Sequence, residues 1–176
     1  MIIVMGLPGA GKSTVLKGLK TDYRILNYGD LMLEIEKEHF GVKDRDDMRK
    51  LPIEKQKKAQ KMVYEKLAKE HGKVILDTHC SVSTPTGFFP GLPFDYLKLL
   101  KVDALVLVTA DPKEVAERRA TDPTRKRDDD DIFLHDSLNR GYLAAYSAFT
   151  GAPAVVIFNR QGKLEEAVAK LQAILI

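Results

Sequence analysis

A glycine-rich turn near the N-terminus has the residue types and the spacing needed to bind the phosphates of a nucleotide. Residues 6–13 satisfy the pattern G-x-x-x-x-G-K-[ST]. Glycines let successive backbone N–H groups point inward, and a helix that starts near Lys12 adds the positive end of its dipole. Lys12 can then reach the β- and γ-phosphates, and the Ser13 hydroxyl is placed to bind Mg²⁺. A turn that binds nothing is disfavoured, because the motif directly follows a strand and opens a helix. The expected ATP-binding residues of this loop are Gly6, Leu7, Pro8, Gly9, Ala10, Gly11, Lys12, Ser13 and Thr14.

A phosphate-binding loop of this kind also needs a carboxylate near the metal. Asp77 follows the apolar run 74–76, which reads as a buried strand, and it is the residue with the required context at a strand end. Asp111 follows a strand as well, but its Asp-Pro context is typical of a helix N-cap. We therefore predict that Asp77 orients Mg²⁺ through water. The alternative is a strand-end carboxylate with no metal.

Arginines bracket a polar segment, residues 121–131, that we expect to act as a mobile lid. Guanidinium groups bind phosphate oxygens in pairs and stabilise the charge on a phosphoryl group in transfer. A polar segment between two helices can close over a bound nucleotide and expel water. We expect a phosphate role for Arg125 and Arg127, and less of one for Arg118. The alternative is a solvated loop whose arginines pair with the aspartates that follow, the last of which can also cap the next helix.

A second basic group, Arg45 and Arg49, lies in the charged stretch 44–50 after the second strand–helix pair. Since one loop already binds the donor triphosphate, a second cluster elsewhere indicates that the acceptor is anionic too. Arg–Asp pairs on a helix surface are the alternative. Asp30, just past the second strand, is predicted to be the N-cap of the helix that follows.

Short apolar strands alternate with helices along the chain, which favours an α/β fold with a parallel sheet covered on both faces. We expect one domain, residues 1–176, without repeats or a linker. The stretch 81–93 holds three prolines and two glycines and is predicted to be a loop. Strands are predicted at 2–5, 24–28, 74–77, 104–109 and 155–158, and helices at 12–20, 31–40, 52–72, 113–120, from 131 to about 149, and 164–175, with a short helix opening at 95.

Composition limits the classes of function. The 176 residues include 28 Lys and Arg against 25 Asp and Glu, a net charge of +3 that is too small to indicate a nucleic-acid-binding protein. Cys80 is the one cysteine, which excludes an intrachain disulfide and a Cys₄ zinc site. The N-terminal apolar run is too short for a membrane span or a signal peptide, so we expect a cytoplasmic protein with no membrane partner. His39, His71 and His135 are expected on solvated helical faces.

Several stretches together resemble the archaeal-type adenylate kinase family. They occur in the family's order over nearly the whole chain, and the D-R-D-x-M-R and P-G-L-P stretches make the match more specific than the glycine-rich loop alone. The matching stretches are residues 6–14, 28–32, 44–49, 77–79, 83–85, 90–93, 124–128 and 150–152.

The resemblance implies a three-layer P-loop NTPase fold of the nucleoside-monophosphate kinase type. Its parts would be a five-stranded parallel sheet, a helical acceptor-binding region at 30–72 and the lid at 121–131. The implied reaction is ATP + AMP ⇌ 2 ADP with Mg²⁺, and members of this family are often trimers. The chain lacks the D-G-F-P-R stretch of the commoner bacterial and eukaryotic adenylate kinases and, with one cysteine, the zinc-bearing lid of some of them.

The resemblance also implies roles for individual residues. Lys12 and the three arginines that clamp the transferring phosphates would be catalytic, and a turn after the last strand would border the ATP adenine. The acceptor would meet residues of the second strand–helix junction and of the stretch near Thr84. The implied residues are Arg119, Arg125 and Arg127 for the clamp, Asn159 and Arg160 for the adenine, and Gly29, Asp30, Arg45, Arg49 and Thr84 for AMP.

Two other functions remain open at this point. In a kinase of a small metabolite, Asp30 would take a proton from a hydroxyl acceptor. In a P-loop ATPase acting on RNA or a protein partner, water would be the acceptor and phosphate would be released without AMP. Arg45 and Arg49 are better explained by an anionic acceptor than by the ATPase.

Overall fold

Five short strands form the central sheet of the computed structural model, which describes residues 1–84, 86–121 and 131–175. With two further strands outside that sheet, β4 and β5, the strands of the described residues are β1 (Ile2–Met5), β2 (Arg24–Asn27), β3 (Val74–Asp77), β4 (Ser81–Thr84), β5 (Gly87–Pro90), β6 (Ala104–Thr109) and β7 (Ala154–Phe158). The helices are α1 (Lys12–Lys17), α2 (Tyr28–Phe40), α3 (Arg45–Lys50), α4 (Ile53–Leu67), α5 (Phe94–Leu97), α6 (Pro112–Ala120), α7 (Ile132–Thr150) and α8 (Leu164–Gln172).

The sheet has the strand order β2-β3-β1-β6-β7, and every pairing in it is parallel. All residues of β1, β3 and β6 are buried, as expected for parallel strands covered on both faces. Ile3 and Met5 face one apolar cluster with residues of α2, α4 and α7. Ile2 and Val4 face a second cluster with residues of α1 and α8. The α/β, three-layer, five-stranded parallel fold is therefore confirmed.

The prediction of a loop at 81–93 is wrong, because β4 and β5 form an antiparallel hairpin there. Val82 lies opposite Phe89, and both side chains are exposed on the outer face. On the inner side, the Tyr142 hydroxyl of α7 donates to the Phe88 carbonyl at 2.9 Å. Pro90 ends β5, a position where an isolated two-stranded sheet tolerates proline. The stretch therefore forms a hairpin despite its three prolines.

The second helix begins earlier than predicted. Its N-cap is Asn27, whose Oδ1 accepts a hydrogen bond from the backbone N–H of Asp30 at 3.1 Å. Asp30 is therefore inside the first turn and is not the cap. A further short helix, α3, was not expected, and Asp44 caps it by accepting from two backbone N–H groups. The Asp111 cap of α6 is confirmed.

His135 does not lie on a solvated face, which corrects the expectation. Its side chain is buried, and Nε2 lies 3.0 Å from the Ser81 hydroxyl of β4. That hydroxyl donates to Asn139 Oδ1 at 2.6 Å, so the first two turns of α7 are hydrogen-bonded to the hairpin. The error follows from the missed hairpin, since β4 and β5 cover this part of α7.

Among the described helices, none has both the length and the apolar character that a membrane span requires.

Glu36, on α2, is a buried carboxylate with one oxygen that has no hydrogen-bond partner in the described part of the chain. Its side chain is 1% exposed, and Oε2 makes no hydrogen bond. Burial raises the pKa of this carboxyl above its ordinary value, because desolvation penalises the charged form.

Replacing Glu36 by methionine is expected to stabilise the protein by about 1–3 kcal/mol at pH 7, because it removes an uncompensated buried charge. The pKa of Glu36 is higher in the folded state than in the unfolded state. The native protein therefore loses stability as the pH rises from the unfolded-state pKa through the folded-state pKa. The gain should therefore shrink towards acid pH. Urea unfolding at pH 7 and pH 4 measures it, with the exposed Glu38→Met on the same helix as the control. An equal gain at both pH values would contradict the assignment.

Candidate active site

The glycine-rich loop lies at the carboxyl end of β1, in the centre of the sheet. Leu7 and Ala10 are buried against Ala110 and Val115, which anchors the loop to the start of α6. The Ala10 N–H donates to the Leu7 carbonyl at 3.2 Å, and Gly11 is the N-cap of α1. The backbone N–H groups of the loop are thereby placed next to the positive end of α1.

The Lys12 ammonium forms an ion pair with Asp77 at this edge. The parallel register brings Asp77 to this edge, where its neighbours are Val4 on β1, the strand that leads into the loop, and Asn27 on β2. Both side chains are nearly buried, at 12% and 8% exposure, and burial lowers the pKa of Lys12 to about 8. Asn27 Nδ2 donates to Asp77 Oδ2 at 2.9 Å. The structure thus gathers a cation, a carboxylate and an amide beside the loop.

A pocket of about 190 Å³ opens beside α1, next to the turn that follows β7. It is formed by both expected adenine-border residues and by residues of the loop, α1, α6 and α8. Its lining residues are Gly11, Thr14, Arg118, Asn159, Arg160, Gln161, Gly162 and Leu164. The pocket therefore lies directly beside the glycine-rich loop.

Asn159 ties this pocket to the loop. Its side chain Nδ2 donates to the Ala10 carbonyl at 3.0 Å, and its own N–H donates to the Thr109 carbonyl at 2.7 Å. The residue is 6% exposed, so both bonds are protected from water. Asn159 therefore holds the loop in place as well as bordering the pocket.

Arg118 belongs to the same group of hydrogen bonds as Asn159. Its guanidinium donates to the Asn159 carbonyl at 3.1 Å and pairs with Glu114 at 2.9 Å. Glu114 also accepts from the Gln161 N–H at 3.0 Å. Arg118 thus positions the turn that follows β7. Glu114 was not recognised from the sequence, although its i,i+4 spacing to Arg118 was a usable signal.

The lid arginines are described only in part. Arg119 Nε donates to the Pro8 carbonyl at 2.9 Å, which places this arginine directly on the glycine-rich loop. Arg125 and Arg127 lie outside the described residues. Asp131 accepts from the Leu134 N–H at 3.0 Å and is the N-cap of α7, as the acidic run allowed.

Two of the predicted acceptor residues are paired with each other. The Arg45 guanidinium forms an ion pair with Asp30, next to Gly29 in the first turn of α2. Arg49 lies one helical turn after Arg45 on α3. Thr84 donates to the Gly87 carbonyl at 2.8 Å and belongs to the hairpin turn, so the structure does not group it with the other four.

Sequence reasoning missed two further polar groups at this edge of the sheet. Asn27 was overlooked because Asp30 was taken as the cap, although asparagine is as good an N-cap as aspartate. Asp136 accepts from the Thr109 hydroxyl at the end of β6 and pairs with Arg140 at 3.0 Å. The i,i+4 spacing of that pair was the available signal.

The chain is similar to known proteins in sequence and in fold. Residues 5–133 match the sequence model of a family described as AAA domain. Among solved structures, a shikimate kinase from Bacteroides thetaiotaomicron superposes with a TM-score of 0.60 at 16% identity, covering 99% of this chain and 97% of that one. A sugar kinase from Janibacter sp. gives a TM-score of 0.54 at 15% identity, with the same coverage of the two chains. At these identities the likeness concerns the fold.

Curated relatives match at higher identity and over nearly the full length. An adenylate kinase from Methanothermobacter thermautotrophicus is 41% identical over 99% of this chain and 98% of its own. An adenylate kinase from Methanopyrus kandleri is 44% identical, over 96% of this chain and 93% of its own. One from Pyrobaculum aerophilum is 42% identical, over 93% and 86%. The glycine-rich loop, the nearly buried Lys12–Asp77 pair and arginines lie at the same edge of the sheet. At 41–44% identity to these relatives over 93–99% of its length, the chain belongs to the adenylate kinase family of nucleoside-monophosphate kinases.

Proposed function

We propose that the chain transfers the γ-phosphoryl group of ATP to AMP, reversibly, to give two molecules of ADP. One observation carries the proposal: Lys12 and Arg45 lie on the two flanks of one short chain of polar contacts, through Asp77, Asn27 and Asp30. Two anionic substrates can therefore meet over one edge of the sheet. Membership of the adenylate kinase family supports the same reaction.

The donor would bind along the loop. The backbone N–H groups of residues 6–11 and the start of α1 would hold its β- and γ-phosphates, with Lys12 moving from Asp77 onto the phosphate oxygens. The adenosine part would occupy the pocket bordered by Asn159 and Arg160. Arg119, which already lies on the loop, would neutralise charge on the γ-phosphoryl group together with Arg125 and Arg127.

Mg²⁺ fits the residues beside the loop. Ser13 and Asp77 offer a hydroxyl and a carboxylate, the oxygen donors that Mg²⁺ prefers, and this ion commonly keeps several waters and uses few protein ligands. Ser13 would bind the ion directly, and Asp77 would hold it through water. When bound, the ion would neutralise charge on the β- and γ-phosphates.

The acceptor needs no general base. At neutral pH the AMP phosphate is already anionic, so one of its oxygens can form the new bond to the γ-phosphorus while the bond to the β,γ-bridging oxygen breaks. Arg45 and Arg49 would orient that phosphate, next to Gly29 and Asp30. The Asp30 carboxylate is already paired with Arg45, so it is not available as a base without breaking this ion pair, which disfavours the small-metabolite kinase.

Assembly and location follow the family resemblance. We propose a homo-oligomer, for which the exposed Val82 and Phe89 on the outer face of the hairpin are suitable contact residues, and light scattering measures its mass. We also propose a cytoplasmic location. A single cysteine suits a reducing compartment, and burial raises the pKa of Cys80 to about 12, so its thiol stays protonated.

A coupled assay of ADP formed from ATP and each candidate acceptor tests the function. AMP should be required, and phosphate release without it should be negligible. Lys12→Ala should lower kcat by about 10²–10³-fold, because the transferring phosphates lose their buried cation. Release of phosphate from ATP alone, stimulated by RNA, would favour the ATPase instead.

Arg45→Ala is expected to raise the KM for AMP by about 10–100-fold, the effect of losing a charge-assisted hydrogen bond to a phosphate. The KM for ATP should stay within about twofold, since Arg45 contacts no residue of the loop. Steady-state kinetics with each substrate varied in turn separates the two. Arg24→Ala, which removes an exposed arginine paired with Glu70, is the control. An equal rise in both KM values would show that Arg45 does not act on the acceptor.

Gly11→Ala is expected to weaken ATP binding at least tenfold. Gly11 has φ +82°, and a Cβ there would lie 2.1 Å from Asn159 Nδ2, so it would push this amide off the Ala10 carbonyl. Calorimetric titration with ATP measures the loss. Gly141→Ala is the matched control, because a Cβ at this exposed helical position has nothing within 4 Å and should raise stability by up to about 1 kcal/mol. Unchanged ATP affinity in Gly11→Ala would contradict the role given to the loop.

A further inference from the structure

Asn27 lies between the donor and acceptor residues and uses both ends of its side chain. Its Nδ2 donates to Asp77 Oδ2 at 2.9 Å, and its Oδ1 accepts from the Asp30 N–H at 3.1 Å. Building on the proposed function, we propose that Asn27 is a positioning residue that couples the two sites, so that a bound donor nucleotide increases the affinity for AMP.

The orientation of this amide is uniquely determined by its partners. An ionised carboxylate can only accept a hydrogen bond, and a backbone N–H can only donate one. The amide nitrogen must therefore face Asp77, and the amide oxygen must face Asp30. The reverse orientation would set an oxygen against the carboxylate and an NH₂ group against the N–H. The sheet register fixes the distance as well, since Asn27 and Asp77 are paired on β2 and β3.

On the donor side, Asn27 shares Asp77 with Lys12. In the structure Asp77 is 6% exposed and balances the Lys12 ammonium. A triphosphate on the loop would draw Lys12 away, and a Mg²⁺ held through water would not replace this direct contact, so the carboxylate charge would act more strongly on the Asn27 amide. A hydrogen bond from an amide to a carboxylate becomes stronger when a competing cation leaves, because the carboxylate charge is then less compensated.

On the acceptor side, Asn27 caps α2. The cap holds the first turn, which contains Gly29 and Asp30, and Asp30 in turn pairs with Arg45. A firmer bond between Asp77 and Asn27 therefore restrains the turn that presents the acceptor residues. Such restraint lowers the ordering cost of AMP binding, which is the origin of positive coupling between two ligands.

Substitutions at Asn27 can separate the two hydrogen bonds. Serine is as good an N-cap as asparagine, but its shorter side chain leaves Asp77 without the amide donor. Asn27→Ser should therefore keep the helix start and lose the coupling. Asp111→Ser is the matched control, because it makes an equivalent change at the N-cap of α6, a helix that carries none of the proposed acceptor residues.

The experiment is calorimetric titration of AMP into the whole protein, with and without a saturating ATP analogue whose β,γ-bridge is a methylene group. The wild type and Asp111→Ser should bind AMP at least fivefold more tightly with the analogue present. In Asn27→Ser the ratio should fall below about twofold, while AMP affinity without the analogue and the melting temperature stay close to those of the wild type.

Three results would overturn the proposal: a wild-type ratio of one, a wild-type ratio retained by Asn27→Ser, or the same loss of coupling in Asp111→Ser. Each leaves the proposed function standing if the wild type still forms ADP from ATP and AMP. Failure of the wild type to form ADP or to bind AMP would refute both the function and the coupling.

Discussion

The ion pair between Lys12 and Asp77 is the constraint on which the site depends. Removing two charges from water costs several kcal/mol for each, and the cost is offset only when the partners are held in close contact with further hydrogen bonds. Pairing of β1 with β3 provides the contact, and the Asn27 amide provides a further bond. A phosphate that binds Lys12 must therefore replace Asp77 as its counter-charge. Lys12 thus faces a negative charge in the empty loop, as it would in the occupied one.

The glycine-rich loop is also held from the opposite side, by side chains that bond to its backbone. Asn159 and Arg118 both donate to the Ala10 carbonyl, and both border the pocket proposed to hold the adenosine part of the donor. The same residues thus shape that pocket and fix the glycine-rich loop. A nucleotide that fits the pocket meets a loop already in position, which reduces the entropy lost on binding.

Local patterns were sufficient for the sheet and for the loop. The strands of the core are short apolar runs, and the prediction that Asp77 lies beside the loop needs only its place at the end of one of them. Contacts between distant segments were not accessible in this way. Burial of His135 depends on a hairpin more than 40 residues earlier, and the bond from Asn27 to Asp77 joins two strands 50 residues apart, whereas the cap that Asn27 forms with Asp30 is local. Glu36 breaks the usual pattern, since a buried carboxylate with an unbonded oxygen cannot be inferred from helical spacing.

The strand order has a consequence for biosynthesis. Strand β1, the earliest of the five in sequence, becomes the central one, and its neighbours are β3 and β6, with Ile2 opposite Ile75 and Ala104. The loop that follows β1 therefore stays without its complete sheet until β6 (Ala104–Thr109) has been synthesised. Contacts this distant in sequence form slowly, because the chain between them must first be ordered. A nascent chain that stops before β6 exposes an apolar strand and has no assembled phosphate site.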